Sequence, residues 1–416
     1  MLFGFGNIHQ SEAVKGILPK TQNSPQTLPY NLYAEQLNGS AFTRDRKDTL
    51  YTWVYRRLPS VVRPDFEPRE FIGQSKPCLN YKPNPMRWSP VNYLENQTSD
   101  FIDSLRQIAC NEHSHVYLYD CNQSMDGHYF ADLDGELLFI PFEGQILLKT
   151  ELGELDLAPG QIAVIPRGMY WKMELTSDKT KGYLCENRGL PFQLPELGVI
   201  GVNGLAHPNH FVYPEASYEP EPSSPVTIVI KHGDQLWTGR HAHTPLNVIA
   251  WRGNYAPYRY DLNLFNTINT VSYDHIDPSI FTVLTSPSHT PGVAAIDFVI
   301  FPHRWMVAEH SFRPPYFHRN IMSELMGLVH GQYDAKQEGF SPGGFSIHNA
   351  MIPHGPDKVS TDNALVENLE PMYFDKGLAF MLESNLAWSP SEWAMGLSQY
   401  QRDYVQCWQG ITPGEL

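Results

Sequence analysis

His318 and Glu324 stand six residues apart in His318-Arg-Asn-Ile-Met-Ser-Glu324, and His354 follows in Ile352-Pro-His-Gly-Pro-Asp357. Two imidazoles and one carboxylate on one face can hold a metal ion while leaving about three coordination positions open. Such a facial triad suits a non-haem ferrous ion, Fe(2+), that must hold a substrate and dioxygen together. Zinc prefers tetrahedral sites with fewer vacancies, and no thiolate lies near to select it. The parity of the spacing favours strands. Residues six apart share a strand face, whereas on a helix they diverge by about 120°. Ile321, Met322, Leu325, Met326, Leu328 and Val329, with Gly327 and Gly331, fit a strand pair bent by glycines, with His354 arriving from a later strand. A His and a Glu at this spacing also recur by chance, so the residues around them must carry more of the argument.

Eight of the seventeen histidines fall between His275 and His354. Even scatter would place roughly three there, so proton transfer and metal binding belong in this tract. His348, six residues before His354, is a candidate to fix a ligand's tautomer or to contact bound oxygen. Packing in the core is its alternative. Lys336 is a candidate counter-ion for an anionic substrate, since an acidic protein needs local positive charge for one. A solvated lysine is the plainer reading. Gly339-Phe-Ser-Pro-Gly-Gly344 could cover the site as a flap or serve only as a connector. His241-Ala-His243 and His113-Ser-His115 offer paired rings but no following carboxylate, and are read as decoys.

The elements that must position these groups are mostly strands. Leu137–Phe142, Gln145–Thr150, Gln161–Pro166 and Val226–Ile230 are short β-prone runs between glycines and prolines. A second strand-rich tract runs from about Thr267 to Ser384. One helix is expected where Ser99 can cap the stripe Phe101, Ile102, Leu105, Ile108 and Ala109. Another starts near Ser389, a capping serine followed by Pro390. Residues 1–60, punctuated by Pro19, Pro25 and Pro29, read as an extended arm over a neighbouring surface.

The chain has 416 residues, 42% apolar, 12% aromatic and 18% charged, which excludes a disordered protein and allows about two or three domains. Its 34 prolines exceed the roughly 5% background and favour short strands over helices. A formal charge of −15 argues against nucleic acid, and no basic amphipathic helix points to a membrane surface. The N-terminus lacks the pattern of a secretory signal. The five cysteines form no Cys-x-x-Cys pair, and an odd count cannot be fully paired within one chain. A cytoplasmic location is therefore expected.

The sequence resembles the homogentisate 1,2-dioxygenase family along nearly its whole length. The resemblance runs from Phe5-Gly-Asn7, Pro29-Tyr-Asn-Leu-Tyr-Ala-Glu-Gln-Leu37 and Gly39-Ser-Ala-Phe42 through Gly198-Val-Ile-Gly-Val-Asn-Gly-Leu-Ala206 and Asn247-Val-Ile-Ala-Trp251. It is densest over Asp274-His-Ile-Asp-Pro-Ser-Ile-Phe-Thr-Val-Leu-Thr285, Phe312-Arg-Pro-Pro-Tyr-Phe-His-Arg-Asn320 and Met322-Ser-Glu-Leu-Met-Gly-Leu328.

The resemblance implies ferrous ligands at His318, Glu324 and His354, with His354 also bordering the substrate. It implies a general acid or base at His275 and a substrate tyrosine at Tyr333. It further implies ring cleavage of homogentisate by dioxygen to maleylacetoacetate, in tyrosine and phenylalanine breakdown, and a hexamer of two trimers. The implied fold is mainly β with few short helices, a large N-terminal β-rich domain followed by a smaller C-terminal cupin-like barrel. The polar, tyrosine-rich stretch Gly253–Phe265 puts the boundary between them near residue 265, giving domains over 1–265 and 266–416. The general cupin motif fits imperfectly, because Asn320 stands where a second histidine would be. Pro159-Gly160 and Ile165-Pro-Arg-Gly168 resemble a cupin turn with Trp171 at the would-be ligand position, so the first module reads as metal-free. A non-catalytic cupin binding protein, or a zinc or manganese isomerase or hydrolase on the same barrel, are the rival classes.

Overall fold

A computed structural model of the chain describes residues 1–94, 97–198, 204–272, 281–333 and 339–415. His275 and Lys336 lie outside the described residues. The architecture is mainly β, as expected. Among the described residues the α-helices are Phe101–Ser104, Lys358–Val366 and Glu392–Gly396, and none is long and apolar enough to cross a membrane.

The N-terminal part is built on a nine-stranded and a seven-stranded sheet. The expected strands are there, as Glu136–Glu143, Ile146–Thr150, Gln161–Ile165 and Val226–His232. Gly153–Leu157 alternates strictly, with Leu155 and Leu157 buried and Glu154 and Asp156 exposed, so one face meets the core. Glu136–Glu143 has no such alternation because it is covered on both faces. Trp171 is fully buried, and its ring packs against Phe101, Phe130 and Phe139 at 4.9–5.6 Å. The would-be ligand position of this module is thus filled with aromatic core.

Two sequence expectations fail locally. The helix ends at Ser104, capped by Asp100 rather than Ser99, and Arg106–Cys110 is a strand. Gln107, Ile108 and Ala109 are all buried, which needs cover on two faces. Pairing with Ser114–Cys121 supplies it, and a bulge between Gln107 and Ala109 mimics helical spacing. The first 60 residues are also not a separate arm. Leu2–Phe3 joins the large sheet, and His9–Glu12, Tyr33–Asn38 and Tyr51–Arg56 form a sheet with Val248–Gly253. The C-terminal helix does form, but Ser391 caps it, while Ser389–Pro390 is a strand.

The C-terminal sheet runs Thr282–Pro287, Ala294–Phe301, Gly377–Ser384, Ser323–Gly331, Phe345–His348 and Met86–Trp88. Its last strand comes from the N-terminal part, and in exchange Ser389–Pro390 pairs with Ala109 and Cys110. The two parts are therefore interlocked through backbone ladders. Trp88 seals the junction, stacked on Phe345 at 4.4 Å and donating its indole N–H to the Ala394 carbonyl. Ser323–Gly331 is one continuous strand with a register shift between Leu328 and His330, not a strand pair. Gly327 is needed there. A Cβ would lie 2.4 Å from the Phe380 ring, which packs edge-on against Tyr183. The Tyr183 hydroxyl accepts from the Gly343 amide and donates to the Gly344 carbonyl, so this end of the glycine-rich segment is pinned.

Glu136 helps hold the same junction. Its carboxylate accepts from the Phe192 amide and from Asn187, whose side-chain oxygen accepts from Ser286 in the C-terminal part. Burial pushes the Glu136 pKa up to about 7, despite these hydrogen bonds. In the unfolded chain the group titrates near the usual 4.3, so between these values the folded protein binds more protons. The Glu136 contribution should be present below about pH 4.3 and lost as pH rises through 7, by up to about 4 kcal/mol. Urea unfolding across pH 4–8 checks this, since Glu136→Gln should remove that part of the slope.

Candidate metal centre

His318 and His354 are brought together by a local backbone bridge. The His318 amide donates to the His354 carbonyl and the His354 amide to the His318 carbonyl, at 2.9 and 3.1 Å. His318 thus precedes the Glu324 strand without belonging to it, and strand parity is not what aligns the two. Nor does His354 come from a longer strand. The chain turns at Asn320, whose side-chain oxygen accepts from the Met322 amide, and Glu324 then enters the sheet opposite Glu383 and His348.

The three candidate ligand groups converge, with donor atoms all within 4.8 Å of one another. His354 Nε2 is 3.1 Å from Glu324 Oε2, and His318 Nε2 is 3.6 Å from Oε1. Each ring's other nitrogen faces a backbone carbonyl. His318 Nδ1 lies 2.7 Å from Tyr316 O, and His354 Nδ1 lies 2.9 Å from Ile352 O. A carbonyl can only accept, so Nδ1 carries a proton and Nε2 is the ring atom turned toward Glu324. Glu324 and His354 are buried and His318 half-buried. Burial alone would raise the Glu324 pKa, yet hydrogen bonds with His318, His348 and His354 hold it well below the usual carboxylate range. Two imidazole Nε2 atoms, which ligate a metal once they give up a proton to it, and an ionised carboxylate are the donor set a divalent ion needs.

Two residues beside the triad had little or no sequence signal. Asn320 donates to Glu383 at 2.6 Å and approaches Glu324 Oε1 at 3.4 Å, steadying the carboxylate from the position where the cupin pattern expects histidine. That break in the motif was the available clue. Tyr404, from the C-terminal segment, places its hydroxyl 3.5 Å from His348 Nε2, and no local pattern announces it. His348 stacks on His354 at 4.3 Å with its Nδ1 3.4 Å from Glu324 Oε2. It abuts the carboxylate and flanks the triad rather than joining it.

A cavity of about 850 Å³ opens on His318 and His354, walled by Phe317, Met351, Pro353, Trp408 and Ile411. Tyr333 is elsewhere. It follows the far end of the strand Ser323–Gly331 and lines a different cavity. His241 contacts the His243 carbonyl, and His243 pairs with Glu221 at 3.1 Å, so neither gathers ligands. His115 lies beside a buried acidic cluster of Asp132, Asp134 and Glu186. Lys231 reaches Asp134 and Glu186 there at 2.9 Å, so a side-chain cation already meets that charge.

Residues 1–262 match the family model described as Homogentisate 1,2-dioxygenase N-terminal, and residues 263–414 match the C-terminal one. The chain belongs to the homogentisate 1,2-dioxygenase family. A homogentisate 1,2-dioxygenase of Legionella pneumophila is 56% identical over 410 residues, covering 99% of this chain and 98% of that one. One of Pseudomonas fluorescens is 49% identical over 416 residues, covering 98% and 95%. A solved cupin 2 conserved barrel domain protein from Leptotrichia buccalis overlaps 70% of this chain and 90% of its own at 10% identity. Its TM-score of 0.29 is too low to add to the homogentisate 1,2-dioxygenase assignment.

Proposed function

We propose that this enzyme opens the ring of homogentisate with dioxygen to give maleylacetoacetate, both oxygen atoms entering the product, at a ferrous ion held by His318, Glu324 and His354. The observation that carries the reading is the convergence of two Nε2 atoms, each turned inward by a backbone carbonyl, on one ionised carboxylate. Iron at this position would supply Lewis acidity toward a ring hydroxyl and redox capacity toward dioxygen.

The chain's own groups do the rest. Glu324 offsets cationic charge, and Asn320 and His348 limit its rotation. Phe317, Met351, Trp408 and Ile411 offer apolar walls that orient an aromatic ring and thin the water around it. His275, by family resemblance, handles the phenolic proton, for which an imidazole pKa needs little tuning. Lys336 is proposed as counter-ion to the acetate group, because an anionic substrate in an acidic protein needs local positive charge, and Tyr333 is proposed at the substrate by family resemblance. A cytoplasmic hexamer of two trimers belongs to this proposal, and sedimentation would check the assembly.

Anaerobic ferrous reconstitution followed by an oxygen-electrode assay tests the reaction. One dioxygen should be consumed per homogentisate. Turnover with zinc and without oxygen uptake would overturn the proposal.

A further inference from the structure

A separate cavity of about 340 Å³, within the usual range for small-molecule sites, opens in the N-terminal part between residues 38–41 and 189–191. It shares no residue with the cavity at the triad or with the one that Tyr333 lines. Glu136 lines it and is only 6% exposed. Both hydrogen bonds that this carboxylate accepts, from the Phe192 amide and from Asn187, end on Oε1. Oε2 accepts none among the described residues. It is not shut inside the protein either, so its access is through the cavity.

Arg167 lines the same cavity and acts on Glu136 through its charge, with no hydrogen bond between them. Its Nη2 donates to the Arg188 carbonyl, beside the lining residues Asn187 and Gly189, and this holds the exposed guanidinium at the rim. A buried carboxylate with one oxygen unmet is costly to ionise, and burial raises the Glu136 pKa accordingly. An ammonium against Oε2 would offset that cost, and the guanidinium at the rim suits a carboxylate. The two charges are held apart instead of pairing with each other, so they offer complementary ends to a molecule that carries both. Asn38 and Ser40 add polar groups, while Leu190 and Pro191 supply apolar wall for a short aliphatic body.

We infer that this cavity binds a free α-amino acid with a small aliphatic side chain, its ammonium on Glu136 Oε2 and its carboxylate on Arg167. The inference goes beyond the ring-cleavage reading and does not depend on it, because the ligand needs neither the triad nor a metal.

L-Valine tests it. Isothermal titration calorimetry on the full chain at about pH 8, above the Glu136 pKa, should show one equivalent bound. Isobutylamine, which lacks the carboxylate, and isovalerate, which lacks the ammonium, should each bind at least tenfold more weakly. Glu136→Gln keeps an oxygen for the Phe192 amide but removes the charge, and should weaken L-valine at least tenfold. Arg167→Gln alters an exposed side chain, so it carries the test if the Glu136 variant fails to fold, and it should weaken L-valine severalfold. Glu324→Ala, at the triad, should bind L-valine as the wild type does. No binding of L-valine, isobutylamine or isovalerate binding as tightly, full affinity in either cavity variant, or loss of binding in Glu324→Ala would each overturn the assignment.

Discussion

Glu324→Ala should abolish both iron retention and oxygen uptake. The carboxylate is the only anionic member of the triad, and the two imidazoles left behind cannot offset the charge of a divalent ion. Loss of an outer partner such as Asn320 typically costs about 10–100-fold in metal affinity, so removing the ligand itself should cost at least about 100-fold. Metal content after ferrous reconstitution and gel filtration, read beside the oxygen electrode, checks this. Asn320→Ala should fall between wild type and Glu324→Ala on both measures. Retention of stoichiometric iron and activity by Glu324→Ala would remove this residue from the centre.

The second large effect is on stability and lies far from the triad. Lys231→Met should destabilise the fold by about 3–5 kcal/mol, the usual cost of stripping one partner from a buried ionic group. Lys231 is 2% exposed, and its ammonium contacts Asp134 and Glu186 at 2.9 Å with Asp132 at 4.0 Å. Burial by itself would lower the Lys231 pKa, but Asp132 and Glu186 raise it, so the lysine stays charged. Burial also opposes ionisation of Asp134, yet the Asp234 amide and Lys231 hold its carboxyl well below the usual range. Arg188 reaches Glu186 at 2.8 Å but is partly solvent-exposed and cannot replace the lysine at Asp132. Urea unfolding at neutral pH measures the difference. A shift under about 1 kcal/mol would mean that the acids protonate at little cost once the lysine is gone.

The sequence by itself determined a mainly β protein, the positions of several strands, and the three residues with ligand chemistry, because strand patterning and side-chain donor type are local properties. Family resemblance added the substrate, and the family models confirm membership over nearly the whole chain. It could not determine how His318 meets Glu324. Parity along a strand predicted a shared face, whereas a two-residue backbone bridge to His354 and a turn at Asn320 bring the groups together. Nor could it separate helix from strand at Ile108 and Ala109, where a bulge imitates helical spacing. The exchange of Met86–Trp88 and Ser389–Pro390 between the two parts, the approach of Tyr404 to His348 and the burial of Lys231 among three acids were decided only in the tertiary structure. The reason is physical: each depends on pairings between residues far apart in the chain, whose partners no local window of sequence contains.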